Sequence, residues 1–251
     1  MPDQEWTGFY RQADLQKWLA AIPRRYSCRR FLSETGVPLL SALEYTAARL
    51  PLRGVRVAIE RCGEDDRLLL PIPFLATFRG VSQYAAIICD EQMPYANLYA
   101  GISGEAFILE ATSLGVATCW VSGTFRRGAC KVGLRDNERI AAIIPFGMAA
   151  EETQISHKRK ALKKLCADDP ATWPLWAYRT AEAVRVAPSA INRQPWRFSY
   201  SGSTLRIGLK RLDSLNAGIA VLHAQCALND MAHQWRIDDK QNNLSIFTGE
   251  K

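Results

Sequence analysis

The sequence predicts an α+β fold, a central sheet with helices on both faces, carried by two related halves of one chain. Three observations point there. Helical and strand-like segments are mixed without a strict βαβ alternation, which argues against a doubly wound sheet. Tyr84–Cys89 and Ile140–Phe146 are near-continuous apolar runs, as strands covered on both faces would be. Local patterns in the first part of the chain recur in the second.

In chain order, residues 11–22 form a first helix with Leu15, Trp18, Leu19 and Ile22 on one face, ended by Pro23. Residues 38–50 form a second, since Leu39, Leu40, Leu43, Ala47 and Leu50 recur at helical spacing. Gly54 then leads into a strand over Val55–Ile59. Gly101–Leu114 is helical and so apolar that it belongs deep in the core. Val116–Val121 reads as another buried strand beside Ile140–Phe146. Residues 150–172 turn polar and charged and carry Asp168-Asp169-Pro170, the mark of a link or an exposed crossing segment. Residues 174–186 are helical again. Trp196–Tyr200 and Leu205–Leu209 make a hairpin around Ser201-Gly202-Ser203-Thr204. A helix over Ile219–Ala232 and short strands at Trp235–Ile237 and Leu244–Phe247 complete the chain.

The recurrence is specific enough to suggest duplication. Ala47-Ala48-Arg49-Leu50-Pro51 ends one helix, and Ala183-Val184-Arg185-Val186-Ala187-Pro188 ends its counterpart. Ala100-Gly101-Ile102 opens one apolar helix, and Ala217-Gly218-Ile219 opens the other. Trp120 and Trp235 follow these helices at similar distances. A duplicated unit of this kind is a fused dimer with a pseudo-twofold axis. The expected organisation is residues 1–150 as the first half, 151–172 as the charged crossing segment, and 173–251 as a second, shorter half.

Composition narrows the setting. Of 251 residues, 48% are hydrophobic and 23% charged, which excludes a disordered or collagen-like chain. The net charge of +7 allows nucleic acid, an acidic surface or a phosphorylated small molecule as partner. The seven cysteines are odd in number, form no CxxC pair and sit in apolar runs, the usage of a reducing compartment. The start lacks a basic, then apolar, leader. The uncharged stretch Ala111–Phe125 is too short to span a bilayer. These features predict a cytoplasmic protein with no membrane and no nucleic-acid partner. His157, His223 and His233 are not spaced as metal ligands, and neither glycine pattern of a nucleotide-binding loop occurs.

Four segments could carry chemistry. In extended Arg25–Phe31, alternation would aim Arg25, Ser27 and Arg29 one way, two guanidinium forks about a hydroxyl, suited to a phosphate. Ala187–Phe198 holds two prolines, small residues, Ser189, Asn192 and Gln194, a stiff loop suited to the polar edge of a flat heterocycle. Ile143–Met148 ends a buried strand, where Gly147 lets backbone come close to something. His157-Lys158-Arg159-Lys160 offers a further basic group.

Together these segments resemble the nitroreductase family of FMN-dependent oxidoreductases. The motifs are Arg25-x-Ser27-x-Arg29-x-Phe31, Ala187-Pro188-Ser189-x-x-Asn192-x-Gln194-Pro195-Trp196-x-Phe198, the Pro145-x-Gly147 strand exit and the late Lys158-Arg159. Glu110–Trp120 is similar to the family's long helix and following strand. The likeness covers residues 24–160 and 173–237, and the asparagine loop is its most specific part. Met148 replaces the usual aromatic, and His157 stands where a second basic ligand is expected, so Arg159 alone is carried over there.

The resemblance implies a mainly antiparallel sheet, FMN as cofactor, and ping-pong transfer from NAD(P)H, a transient co-substrate, to a small-molecule acceptor of nitroaromatic or quinone type. It implies that Arg25, Ser27 and Arg29 hold the phosphate and ribityl end. Pro188, Ser189, Ala190 and Asn192 would line the ring from the other half, and Pro145, Phe146 and Gly147 would lie along one ring face. Arg79, placed before the Tyr84–Cys89 strand, is the candidate cation for the pyrimidine edge. In the family one subunit gives the clamp and its partner the asparagine loop. Here the first half has the clamp but reads Arg49-Leu50-Pro51-Leu52-Arg53 where the loop belongs, and the second has the loop without a clamp. The implication is one composite site per chain, one degenerate pseudo-site, and a monomer that serves as its own dimer. A flavin-binding carrier or sensor without efficient turnover stays open beside the enzyme.

Overall fold

The strands fall into two antiparallel sheets, one drawn from each end of the chain. The structure is a computed structural model that describes residues 9–71, 77–150, 158–238 and 242–248. The first sheet runs in the order β1 (Phe31–Ser33), β5 (Glu138–Ala149), β3 (Gln83–Asp90), β2 (Val55–Arg61), with β4 (Ala117–Thr118) paired to β5. The second runs β6 (Trp196–Ser201), β7 (Thr204–Leu209), β9 (Asn243–Thr248), β8 (His233–Asp238). The helices are α1 (Gln12–Ala21), α2 (Val37–Arg49), α3 (Ala96–Ser113), α4 (Leu175–Arg185) and α5 (Leu215–Ala227).

Strand β3 has alternation beneath its unbroken apolar run. Ala85, Ile87 and Cys89 join the main core, while Tyr84, Ala86 and Ile88 join a second cluster with Leu68, Val121, Phe125 and Ile143. A strand apolar on both faces must be covered on both. The main core continues through α3 and α5 to Trp196, Phe198, Leu205, Ile207, Leu244 and Ile246 of the second sheet. That sheet keeps Arg197 and Arg206 on its outer face, the one-sided pattern of an antiparallel sheet.

Helix α3 is buried on every side from Tyr99 to Ala111, as its near-uniform apolarity requires. It starts at Ala96, five residues before the sequence places it. The cap comes from afar: Asp213 Oδ1 accepts from the Asn97 and Leu98 amides at 2.9 and 3.2 Å. Ser214 then caps α5, accepting from the Ala217 amide at 3.2 Å. The α5 helix spans 215–227, shifted toward the N-terminus from the expected 219–232. Only Ala117–Thr118 of the expected 116–121 strand is laddered, and Val121 returns to Ile143 as a single bridge. Between the sheets, Leu162 and Leu165 are buried. The Phe198 amide donates to the Leu165 carbonyl and the Ala167 amide to Phe198, both at 2.8 Å, so this stretch extends the edge at β6. Among the described residues no helix is long and apolar enough to cross a membrane.

Candidate functional site

The arginine segment is extended because the turn before it stops helix α1. Pro23 sits early in the 3-10 turn Ile22–Arg24, and Arg25 leaves it with φ −67° and ψ 128°. The chain then runs beside β4. The Cys28 amide donates to the Thr118 carbonyl at 2.9 Å, and the Cys119 amide donates to the Pro145 carbonyl at 3.1 Å. Clamp, β4 and strand exit therefore lie side by side. Arg25, Ser27 and Arg29 all bear electrostatically on the Cys119 thiol. Burial pushes that thiol up to about 11, while Arg29, Arg25 and a hydrogen bond from Ser27 draw it down.

Arg25 is only 4% exposed, and its Nε has no hydrogen-bond partner. Burial lowers its pKa, opposed by the charges of Glu105 and Cys119. A buried guanidinium with an unused donor is costly to leave unpaired. Ser27 is exposed, and Arg29 is half-buried with its guanidinium 6.0 Å from the Phe78 ring centroid. Arg79 is exposed and fixed by backbone: its amide donates to the Arg29 carbonyl, and its carbonyl accepts from the Phe31 amide, both at 2.9 Å.

The asparagine loop is held in an uncommon shape. Ile191, Asn192 and Gln194 have φ of 45°, 56° and 51°. Asparagine tolerates the left-handed region, but a β-branched residue there is strained, and Ile191 is also 70% exposed. Surrounding bonds enforce the shape. The Gln194 amide donates to Ser189 Oγ at 2.9 Å, and the Ala190 amide donates to Asn216 Oδ1 at 3.1 Å. Asn192 Nδ2 donates to the Lys158 carbonyl at 2.7 Å, and the Lys160 amide donates to Gln194 Oε1 at 2.8 Å. Pro188 is buried beneath the loop and Ala190 is exposed.

Arg159 joins the two ends of the chain. Its Nη1 donates to Asn192 Oδ1 at 2.9 Å and its Nε to the Val186 carbonyl at 3.3 Å. Its pKa is lowered to about 10 by burial first, then by the charges of Arg25 and Arg185. The early arginine and the late asparagine thus share one neighbourhood, with Arg159 between them. His157 lies outside the described residues.

The strand exit offers backbone rather than side chains. Phe146 is buried, its ring edge-on to Phe107 with centroids 5.6 Å apart. A β-carbon on Gly147 would lie 2.9 Å from the Ser33 carbonyl oxygen and 3.3 Å from the Phe31 ring. The close approach that this glycine allows is therefore that of β1, which pairs with β5 at this edge. Pro145 pairs with Tyr84, and Met148 is half-buried.

One group escaped sequence reading. Glu105 and His223 are fully buried and face each other across α3 and α5, His223 Nε2 to Glu105 Oε1 at 2.9 Å. The Trp120 indole N–H donates to Glu105 Oε2 at 2.7 Å. The available signal was an acid, Glu105, in the middle of a largely apolar helix. Among the described residues no His, Cys, Asp and Glu cluster could hold a metal ion.

A family model described as "Putative TM nitroreductase" matches residues 17–228. No curated protein matches the chain. A solved structure, a "putative nitroreductase" from Thermotoga maritima, superposes with a TM-score of 0.63 at 20% identity, covering 98% of this chain and 97% of that one. A nitroreductase with bound FMN from Desulfitobacterium hafniense is 20% identical, covers 63% of this chain and 97% of its own, and scores 0.47. An FMN-dependent nitroreductase from Clostridium difficile is 18% identical, covers 55% and 91%, and scores 0.44.

Proposed function

This chain belongs to the TM nitroreductase family, and we propose that it is an FMN-dependent oxidoreductase that passes electrons from NAD(P)H to a small-molecule acceptor of nitroaromatic or quinone type. The observation that carries the reading is the meeting of Arg25 and Arg159, two partly desolvated cations whose charges bear on each other, with Asn192 bonded to one of them. Like charges held together out of water require an anion, and Arg25 Nε is an unused buried donor. A flavin phosphate fits that demand.

In this reading Arg25, Ser27, Arg29 and Arg159 grip the phosphate and ribityl end. Pro188, Ser189, Ala190 and Asn192 border the ring from the second half, and Pro145, Phe146 and Gly147 offer backbone from the first. Arg79 supplies positive charge at the pyrimidine edge. When bound, FMN supplies the hydride and electron chemistry. The chain's own part is to bind and orient it and to leave one face open to donor and acceptor in turn. The single asparagine loop supports one site per chain, with the Arg49–Arg53 segment marking the degenerate one.

An absorbance spectrum of the purified protein, alone and after anaerobic addition of NADH or NADPH, tests this. The expected result is a yellow protein with FMN near one per chain, bleached by one or both nicotinamides. A colourless protein that takes up no added FMN refutes the cofactor. Bound FMN that neither nicotinamide bleaches refutes the enzyme in favour of a flavin carrier.

A further inference from the structure

We propose that Lys158, Lys160 and Arg193 receive the ribose phosphate that distinguishes NADPH from NADH, so that NADPH is the reductant. The inference rests on the FMN reading of the neighbouring site.

The three cations stand at one place because the asparagine loop holds them there. Asn192 Nδ2 donates to the Lys158 carbonyl at 2.7 Å, and the Lys160 amide donates to Gln194 Oε1 at 2.8 Å. Lys160 Nζ then reaches back to the Arg193 carbonyl at 3.0 Å. An ammonium has three donors, and this bond uses one of them. Between the two lysines, Arg159 is half-buried and bonded to Asn192 Oδ1, whereas Lys158, Lys160 and Arg193 are exposed. The segment thus turns one cation toward the flavin site and keeps its neighbours in water at the rim. Lys210 and Arg211, also exposed, adjoin the end of the loop, where the Lys210 amide donates to the Pro195 carbonyl at 3.3 Å.

No carboxylate answers this group. Elsewhere Arg11, Lys17, Arg56, Lys131 and Arg139 each lie against an acid. Among the described residues, Lys158, Lys160, Arg193, Lys210 and Arg211 form no ion pair. Two acids on the elements that flank the loop are engaged by other groups. Glu182 holds Arg185 at 2.8 Å, and Asp213 accepts from the Asn97 and Leu98 amides. Cations gathered without an acid repel one another, and a dianion placed among them relieves that repulsion.

The chemistry of the reductant names the dianion. In the FMN reading the asparagine loop borders the ring on which a nicotinamide must lie, and the adenosine end of the dinucleotide falls to the surface around it. NADPH differs from NADH only by a phosphate on the adenosine ribose, so the choice between them is a difference of affinity for that one group. A phosphomonoester carries roughly two negative charges at neutral pH and several strong acceptor oxygens, which suits arginine and lysine donors. The phosphate takes no part in hydride transfer, so binding alone is in question.

Anaerobic bleaching of the FMN-loaded protein, with NADPH and NADH titrated separately, tests this. NADPH should half-saturate at a concentration about tenfold lower than NADH, the sum of a few exposed ion contacts. Lys160→Gln and Arg193→Gln should each cut that advantage about threefold and together remove most of it, while Lys160→Arg keeps it. Added salt should erode it. Calorimetry with 2′,5′-ADP and 5′-AMP repeats the comparison without turnover: the bisphosphate should bind wild type more tightly and lose its lead in the double variant. Equal half-saturation by NADPH and NADH, or an advantage that survives the double variant, refutes the inference and leaves the FMN reading standing. A protein that binds no FMN, or whose FMN neither nicotinamide bleaches, overturns the enzyme reading and this inference with it.

Discussion

Gly101 and Gly218 meet where α3 crosses α5, and neither has room for a β-carbon. One built on Gly101 would lie 3.0 Å from the Gly218 Cα and against the Leu215 carbonyl. One on Gly218 would lie 2.6 Å from the Ile102 nitrogen and against the Leu98 carbonyl. Leu98 precedes Gly101 by three residues, as Leu215 precedes Gly218. Each glycine therefore meets the other helix at the matching position, the reciprocal pattern of a twofold interface. The Ala-Gly-Ile echo in the sequence marks this crossing.

Gly101→Ala and Gly218→Ala should each lower the melting temperature, because the obstruction is backbone and cannot rotate away. Overpacking of this kind costs about 1–3 kcal/mol. Gly123→Ala, with open space around it, should stay within about 0.5 kcal/mol of wild type. Urea unfolding of the three variants checks the contrast.

Arg25→Met should separate binding from stability. It removes a buried, incompletely paired charge, so the FMN-free protein should melt higher than wild type. FMN should bind at least about tenfold more weakly, since a charge-assisted contact is worth ~1.5–3 kcal/mol. Arg159→Ala and Arg29→Ala should weaken FMN to a similar degree without the gain in stability. Flavin fluorescence titration beside thermal melts reads both quantities.

Asn192→Ala loses the bonds to Arg159 and the Lys158 carbonyl and places a β-carbon at φ 56°. Asn192→Gly loses the same bonds but not the backbone freedom. Alanine should therefore be the less stable of the two by about 1 kcal/mol, and both should bind FMN more weakly than wild type. Equal stability of the pair would show that the loop relaxes out of the left-handed region.

Arg56 reaches across β3 to Glu138, Nε to Oε1 at 2.8 Å and Nη2 to Oε2 at 2.7 Å. The bonds to Arg56 hold the Glu138 carboxyl down at about 2, against an ordinary 4.5. A depressed carboxyl pKa stabilises the fold above its unfolded value and ceases to as pH falls through the folded one. The stability advantage of wild type over Glu138→Gln should be full above about 4.5 and gone near about 2. An advantage that persists unchanged at the acid end would remove the pair from the account.

Much of the framework was legible along the chain, and the misses share a cause. Strands β3 and β5 announce themselves because an apolar run that long must be covered on both faces. The start of α3 was misplaced because its cap, Asp213, is supplied by the segment before α5. The strand expected after α3 is longer than the ladder observed because apolar composition marks burial, while the regular pairing with β5 covers only Ala117 and Thr118 and recurs as a single bridge at Val121. Phe146 and Gly147 were legible as a buried strand exit. That β1 would fill the space at Gly147 was not, since nothing near Gly147 in sequence names its neighbour.

The sequence by itself determined most of the elements, the repeated pattern at Gly101 and Gly218, and the donor groups that the arginine and asparagine segments carry, because periodicity, turn chemistry and donor inventory are local properties of the chain. Only the tertiary structure decided that Arg25 and Asn192 reach one place through Arg159, and that Glu105 lies against His223 in the core. Those encounters depend on how two helices and two sheets close on each other over long loops. The free energy of that closure is spread across the whole core and is written in no single segment.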